Sequence, residues 1–430
     1  MPLNTPPRRI PLIICIDVEP DDRRIDPSVP RDWFGFEETW NRLQQLRQSL
    51  AEAIGPVRFS WFLRMDPQVK ETYGSADWVF TRYTEHFRDM DRLSDEIGLH
   101  PHAWRWSESE QNWVSDFADP QWVEHCIRMS FASFEDCFKR SCRCFRFGDR
   151  WMNNRIMKLV DSLGAQFDLT IEPGYGPERI PESSTAELPD YTMAPRSCYR
   201  PSRANYLRPG NRFFRRNVWV IPVSTVAVNR ASTPLTVESL DRHLSSVGET
   251  YEGNFEHAEP GGLWGWVWNQ EKPDETVCID VFENANHIGT YAAEFFRADL
   301  LHAGKGSGAH GFRVPAPKLR TGETQEIRIK CAGTEFELGN SPRYISDSSR
   351  PEDYVTMNLA CEATLFRRLF DALVKSNDER LLTFVLRTDS VLAPSTASSI
   401  ERNLAYIMSH PLSGQFEITT PPEALRILRG

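Results

Sequence analysis

The chain has no apolar stretch long enough to cross a bilayer, no Cys-x-x-Cys pair and no surplus of positive charge. The first absence removes a transmembrane helix, which needs about 20 apolar residues. The second leaves nine scattered cysteines, an odd number, with Cys142 and Cys144 too close to bridge comfortably. They read as buried reduced thiols in a cytoplasmic setting. The third, a formal net charge of -10, gives no electrostatic reason to expect nucleic acid or an anionic membrane as partner. Basic residues near the N-terminus precede only the short run Ile10–Ile16, which ends on Asp17 without a small-residue cleavage site. That run reads as a strand rather than a signal peptide. No solenoid-type repeat is visible. What is present is a 430-residue chain with 40% hydrophobic and 26% charged residues, a globular composition with room for one large α/β domain and a smaller one. The oligomeric state is left open.

Strand-like runs at 12–17, 57–63, 96–102, 142–147, 166–172, 217–224, 381–387 and 415–419 alternate with helical patterns near 37–54, 77–93, 119–139, 152–163, 236–247, 358–375 and 396–409. Such alternation implies a mostly parallel sheet. Polar residues sit at the ends of many different strands: Asp17 and Glu19, Arg64 and Asp66, His100 and His102, Arg146 and Asp149, Glu172, Ser224, Arg387 and Asp389. A closed barrel collects strand ends at one face, whereas an open doubly wound sheet concentrates them near one crevice. The reading is therefore α/β, a distorted (β/α)7-8 barrel. The alternation breaks at 255–343, where short strands such as Gly261–Trp268 and Val277–Glu283 recur at sandwich spacing. This predicts an inserted all-β sandwich at 255–343, with the barrel occupying 1–254 and 344–430.

The sharpest chemical signal is Gly98-Leu99-His100-Pro101-His102. Alternation on a strand puts both imidazoles on one side, a pairing suited to one divalent cation. Asp17 and Glu19, two residues apart at the end of another strand, offer carboxylates on one face.

Ile16-Asp17-Val18-Glu19, Gly98–His102, Phe145-Arg146-Phe147-Gly148-Asp149-Arg150-Trp151, Leu163–Asp168 and Glu172-Pro173-Gly174 occur in that order. Together they resemble the polysaccharide deacetylase family, the NodB-homology or carbohydrate esterase family 4 group, over roughly 10–230 and 352–425. The resemblance implies a distorted barrel, a divalent metal, often zinc, and removal of an acetyl group from an amino sugar or sugar ester. It implies Asp17 as general base and Arg146 as the arginine that holds the base. Val18 stands where the family has a metal-binding aspartate, and Glu19 could replace it. The family's two histidines are four apart, whereas here the second is two on. Its late histidine, a general acid, is missing from Phe384-Val385-Leu386-Arg387-Thr388-Asp389, which leaves Asp389 as a candidate for proton transfer. The 255–343 segment resembles an accessory β-sandwich found beside bacterial glycosyltransferases and surface-glycan enzymes, in Gly265-Trp266-Val267, Arg297–Leu300 and His310-Gly311-Phe312.

The resulting assignment places Glu19, His100 and His102 on a divalent metal, with zinc the first choice. Asp17, Arg146 and Asp389 carry the chemistry. Trp104, Trp106, Asp149 and Trp151 border a carbohydrate substrate. Each has a plainer reading. Both histidines can be satisfied by backbone carbonyls, Asp17 and Glu19 can be a solvated turn, and Arg146–Asp149 and Arg387–Asp389 can be rim ion pairs. The leading function is a metal-dependent carbohydrate deacetylase. The alternatives are a non-catalytic glycan-binding or assembly protein on the same scaffold, and a metal-dependent amidase on a small substrate.

Overall fold

The computed structural model describes residues 9–25, 27, 31–177, 188–229, 251–259, 262–284, 286–315, 317, 324–346, 352–376 and 381–429. The chain divides into two compact units, Met1–Val226 with Tyr354–Gly430, and Ala227–Asp353. The second unit contains the 255–343 stretch and extends past it at both ends.

The first unit is built on parallel strands β1 (Ile10–Val18), β2 (Ser60–Leu63), β3 (Glu96–Leu99), β4 (Cys144–Phe145), β5 (Phe167–Asp168), β6 (Trp219–Val220) and β7 (Leu382–Arg387). They lie in the order β7-β1-β2-β3-β4-β5-β6, and β8 (Phe416–Ile418) pairs with the start of β1. Beyond the end of β6 the chain reaches β7: the Ser224 N–H donates to the Thr383 carbonyl, and the Thr383 N–H donates to Ser224 Oγ, both at 3.0 Å. This closes the sheet into a distorted barrel. Ile13, Cys15, Phe62, Cys144, Phe167, Leu169, Val223 and Val385 form one buried cluster. Continuing two residues along their strands from Cys15, Cys144 and Val385 leads to Asp17, Arg146 and Arg387, so one side-chain row passes from apolar to charged at one end of the barrel.

Helices Phe34–Ile54, Pro120–Phe138, Asn154–Ser162, Ala363–Lys375 and Pro394–Ser409 follow strands as the alternation implies. The helix expected at 77–93 is instead two pieces, Trp78–Arg82 and Thr84–Arg92, and an unexpected first piece, Pro67–Tyr73, precedes them. Gly74, at φ 84°, ends the first piece in the left-handed conformation that glycine adopts without Cβ strain. A terminal helix, Pro421–Arg429, escaped the pattern because it opens on two prolines, which the first turn tolerates. The helix expected at 236–247 lies outside the described residues. Trp33, Trp61, Trp104 and Trp113 are fully buried, so much of the tryptophan content is packing. All nine cysteines are unbridged. Among the described residues no helix is long and apolar enough to cross a membrane.

Among its described residues the second unit is all-β apart from the helical turn Ala298–His302. One sheet comprises Tyr251–Glu259, Gly262–Asn269, Ala309–Val314 and Phe295–Phe296; the other comprises Asn286–Ala293, Val277–Glu283, Thr324–Cys331 and Arg343–Ser346. Their shared core includes Phe255, Leu263, Val267, Ile279, Val281, Phe312, Ile327 and Ile329. Strand alternation leaves Trp264, Trp266 and Trp268 on the face opposite Leu263 and Val267.

Two positions test this packing. A Cβ on Gly98 would lie 2.5 Å from the Cys144 carbonyl oxygen, so Gly98→Ala should force β3 and β4 apart and destabilise the fold by about 1–3 kcal/mol in denaturant unfolding. Asp168 has no exposed surface, and burial pushes its carboxyl up to about 7 against two hydrogen bonds from Thr170. The unfolded chain releases that proton at about pH 3.9. Between about pH 4 and 7 the folded state therefore binds more protons, and stability falls as pH rises through the window. Asp168→Asn should flatten this slope when denaturant midpoints are measured across it.

Candidate metal centre

Glu19, His100 and His102 meet at the barrel's charged end, each at most 3% exposed. The His100 N–H donates to the Leu63 carbonyl at 2.8 Å, extending the β3–β2 pairing past Leu99. His102 is fixed by its own N–H, which donates to Asp66 Oδ2 at 3.0 Å. The two rings stand perpendicular with centroids 4.8 Å apart. Their Nε2 atoms are 3.2 Å apart, His100 Nε2 is 3.4 Å from Glu19 Oε1, and His102 Nε2 is 3.8 Å from Glu19 Oε2.

What lies behind each ring decides which nitrogen carries the proton. His100 Nδ1 is 2.8 Å from the Arg146 carbonyl, which can only accept, so Nδ1 holds the hydrogen. His102 Nδ1 is 3.1 Å from Asp149 Oδ2. The Trp104 indole N–H donates toward that same ring nitrogen at 3.1 Å and asks it to accept, whereas Asp149 is an anion that can only accept, and the charge-assisted bond is the stronger demand. Against the upward push of burial, Arg23 and then His102 hold the Asp149 carboxyl well below the usual carboxylate range. A proton on His102 Nδ1 is therefore favoured. Both Nε2 lone pairs are then bare and face one another, an arrangement that calls for a cation between them.

The local sequence is shaped for this. A Cβ on Gly148 would lie 2.4 Å from the His102 ring, so only glycine lets that backbone pass. Asp149 and Arg150 both adopt φ 55°, a left-handed turn uncommon outside glycine, which carries the Asp149 carboxylate onto His102.

A tetrahedral zinc with ligands at about 2.0–2.1 Å separates its donor atoms by about 3.3 Å. The observed separations bracket that value. Glu19 Oε2 is buried without a hydrogen-bond partner, as a ligand oxygen would be. The residues fit a divalent ion. Burial and the nearby Arg64 hold His102 down at about 4, in spite of Asp149, so it stays a neutral ligand above that pH. Burial raises Glu19, but Arg387 and the two imidazoles outweigh it and keep the carboxylate ionised.

Asp17 sits beside this group, its Oδ2 3.8 Å from His100 Nε2. The Arg146 Nε–H donates to both of its oxygens at 3.1 and 3.2 Å. Arg146 also donates to the Leu169 carbonyl at 2.8 Å and to Glu172 Oε1 at 3.2 Å. Glu172 is locked in turn by the Thr356 hydroxyl at 2.6 Å. Arg146 is thus paired with Asp17 and Glu172 rather than with Asp149. Asp17 and Glu19, each 2% exposed, are no solvated turn. Arg387 and Asp389 do form an ion pair at 2.7 Å, with the Arg387 Nε 3.4 Å from Glu19 Oε1. Burial pushes Asp389 up despite Arg387.

Arg64, at the end of β2, received no role from the sequence. It is fully buried, bonded to Asp66 and Gln68, with Nη1 3.7 Å from Glu19 Oε2. Its signal was present: a strand-end arginine two residues before an aspartate, on the strand between those bearing Glu19 and His100. The expected carbohydrate border needs correction. Trp104 has no exposed surface, Trp151 keeps 9% and stacks on Phe117, and Asp149 backs His102. None of the three offers a face to a sugar ring. Trp106 is partly exposed, edge-on to Trp113.

No family model and no curated protein matches the chain. Several solved structures are similar to it. One from Mycobacterium smegmatis, provisionally named a polysaccharide deacetylase, is 10% identical at TM-score 0.42, with 100% of this chain and 93% of that one covered. Another from Parabacteroides distasonis, provisionally named a glycoside hydrolase/deacetylase, is 11% identical at TM-score 0.31, covering 51% of this chain and 47% of that one. IcaB from Ammonifex degensii is 12% identical at TM-score 0.21, covering 38% and 85%. Likenesses this distant add nothing to the chemistry, which rests on the side chains themselves.

Purified protein should bind about one zinc per chain, and His100→Ala should abolish that binding in metal analysis. Asp149→Asn removes the carboxylate that orients His102 and should weaken zinc about 10–100-fold in a chelator competition titration.

Proposed function

We propose that this protein is a metal-dependent hydrolase that removes acetyl groups from a carbohydrate, either a polysaccharide or a glycan precursor, with zinc as its ion. One observation carries the reading: two imidazole Nε2 atoms 3.2 Å apart beside Glu19, with the arginine-held Asp17 next to them. Glu19, His100 and His102 would hold the ion, which when bound acidifies a water and polarises the acyl oxygen.

Asp17 is the base that takes the proton of the attacking water, the general-base step of an acyl transfer to water. Arg146 keeps Asp17 oriented, and because Glu172 and the Leu169 carbonyl hold the other guanidinium nitrogens, Arg146 cannot swing away as charge moves. Burial raises the Asp389 carboxyl above the usual range despite Arg387, which makes it the group to pass a proton to the departing amine or alcohol, with Arg387 fixing its position. Carbohydrate as the substrate class follows from the motif resemblance, and a cytoplasmic setting from the unbridged thiols.

A second reading is a non-catalytic glycan-binding protein. It is favoured by Arg64 and Arg387, which flank Glu19 and already offset its charge, and by the lack of a histidine in Phe384–Asp389 at the end of β7.

Acetate release from a panel of acetylated sugars separates the two. The hydrolase reading expects zinc-dependent release, and Asp17→Asn should lower turnover by about 10²–10⁴-fold while zinc content stays unchanged. Zinc-loaded protein that binds the same glycans and frees no acetate would establish the second reading.

A further inference from the structure

The chain is acidic overall, yet residues 199–220 contain six arginines, Arg200, Arg203, Arg208, Arg212, Arg215 and Arg216, and no aspartate or glutamate. This stretch is tied into a narrow ribbon. The Arg203 N–H donates to the Phe214 carbonyl at 2.9 Å, Arg216 N–H to Pro201 at 2.8 Å, and Ser202 N–H to Arg208 at 2.8 Å. Asn154, at the start of the helix Asn154–Ser162, anchors it: its side chain donates to the Ala204 carbonyl at 3.0 Å and accepts from the Tyr206 N–H at 2.8 Å. At the tip, Asn211 Oδ1 accepts from the N–H groups of both Phe213 and Phe214, a turn that presents two consecutive rings outward.

Phe213 is 71% and Phe214 66% exposed, and they are the one sequence-adjacent pair among the exposed large apolar residues described. Arg203, Arg208 and Arg212 are exposed beside them, with the Arg212 guanidinium 5.0 Å over the Phe213 ring. Among the described residues, Arg203, Arg208, Arg212 and Arg215 have no carboxylate partner. Burial, then Arg215 and Arg429, pull Arg200 below its ordinary range, so like charges crowd here and an anionic surface would relieve them.

The shape narrows the partner. A convex tip with two bare rings enters a soft apolar layer rather than lining a groove. A soluble polyanion would neutralise the arginines but leave both rings in water. Lipid headgroups over acyl chains supply the phosphate and the apolar layer together. We propose that the ribbon at 199–216 docks this protein on an anionic phospholipid surface, with Phe213 and Phe214 in the acyl boundary and Arg203, Arg208 and Arg212 on lipid phosphates. This is peripheral attachment without a membrane span, and it does not depend on the metal centre.

The test is co-sedimentation of the full chain with phosphatidylcholine vesicles, with and without phosphatidylglycerol. Binding should require phosphatidylglycerol and weaken with salt. Each arginine contributes about fivefold, so changing Arg203, Arg208 and Arg212 together to Gln should cost about 10²-fold. Phe213→Ser with Phe214→Ser should cost at least about tenfold, at unchanged Tm because both rings are solvent-facing. His100→Ala should bind vesicles like the native protein. Equal binding by the phenylalanine variant overturns the proposal. So does native protein that ignores phosphatidylglycerol vesicles yet binds heparin through these arginines, which would assign the ribbon to a soluble polyanion.

Discussion

The position of one proton on each of two imidazoles governs this site. The Arg146 carbonyl and the Asp149 carboxylate each face an Nδ1, and in the tautomer these two select, over the Trp104 indole N–H, both Nε2 lone pairs turn inward at 3.2 Å. Two lone pairs at that distance repel unless a cation or proton lies between them. Burial and Arg64 make a proton on His102 unfavourable above about pH 4. A divalent ion there would resolve the conflict, with Glu19 as the third residue able to hold it.

Around that centre, charges are arranged as alternating chains instead of isolated pairs. Glu172, Arg146 and Asp17 form one chain; Arg23, Asp149 and His102 another; Asp389, Arg387 and Glu19 a third; Asp66 and Arg64 reach Glu19 from a fourth side. Burying any one of these ions unpaired would cost several kcal/mol. The barrel makes this density feasible because each strand end delivers only one or two charged groups to a common mouth. The same density means that most of these charged side chains have at least two partners.

The end of β7 distinguishes this mouth. Parallel pairing sets Arg387 beside Asp17 in register, so their side chains emerge on the same side. An arginine there cannot act as an acid at any ordinary pH, because its guanidinium stays protonated. It can hold Asp389 and share the charge of Glu19. In the proposed hydrolase, proton transfer to the leaving group would fall to the carboxyl two residues on, which burial raises. Whether turnover survives that exchange is the question on which the hydrolase and binding readings part.

Much of the architecture was legible in the residues. The barrel strands announce themselves as short apolar runs; Leu12–Ile16 is apolar throughout, as a strand buried on both faces must be. His100 and His102 were legible by spacing, since a period of two fixes a shared side. The sequence did not reveal the short helix Pro67–Tyr73, which Gly74 ends after two turns, nor the break at Tyr83 within a pattern that reads as one helix. It could not show that Trp104 and Trp151 lie inside, because an aromatic after a motif reads alike as wall or as core. Nor did a net charge of -10 betray the basic ribbon at 199–216, since a total hides where its parts lie. Local pattern determined which residues sit on which face of which strand. Only the closed fold decided which partner stands behind each ring, because hydrogen bonds between residues as distant as His102 and Asp149 depend on how β3 and β4 are brought side by side.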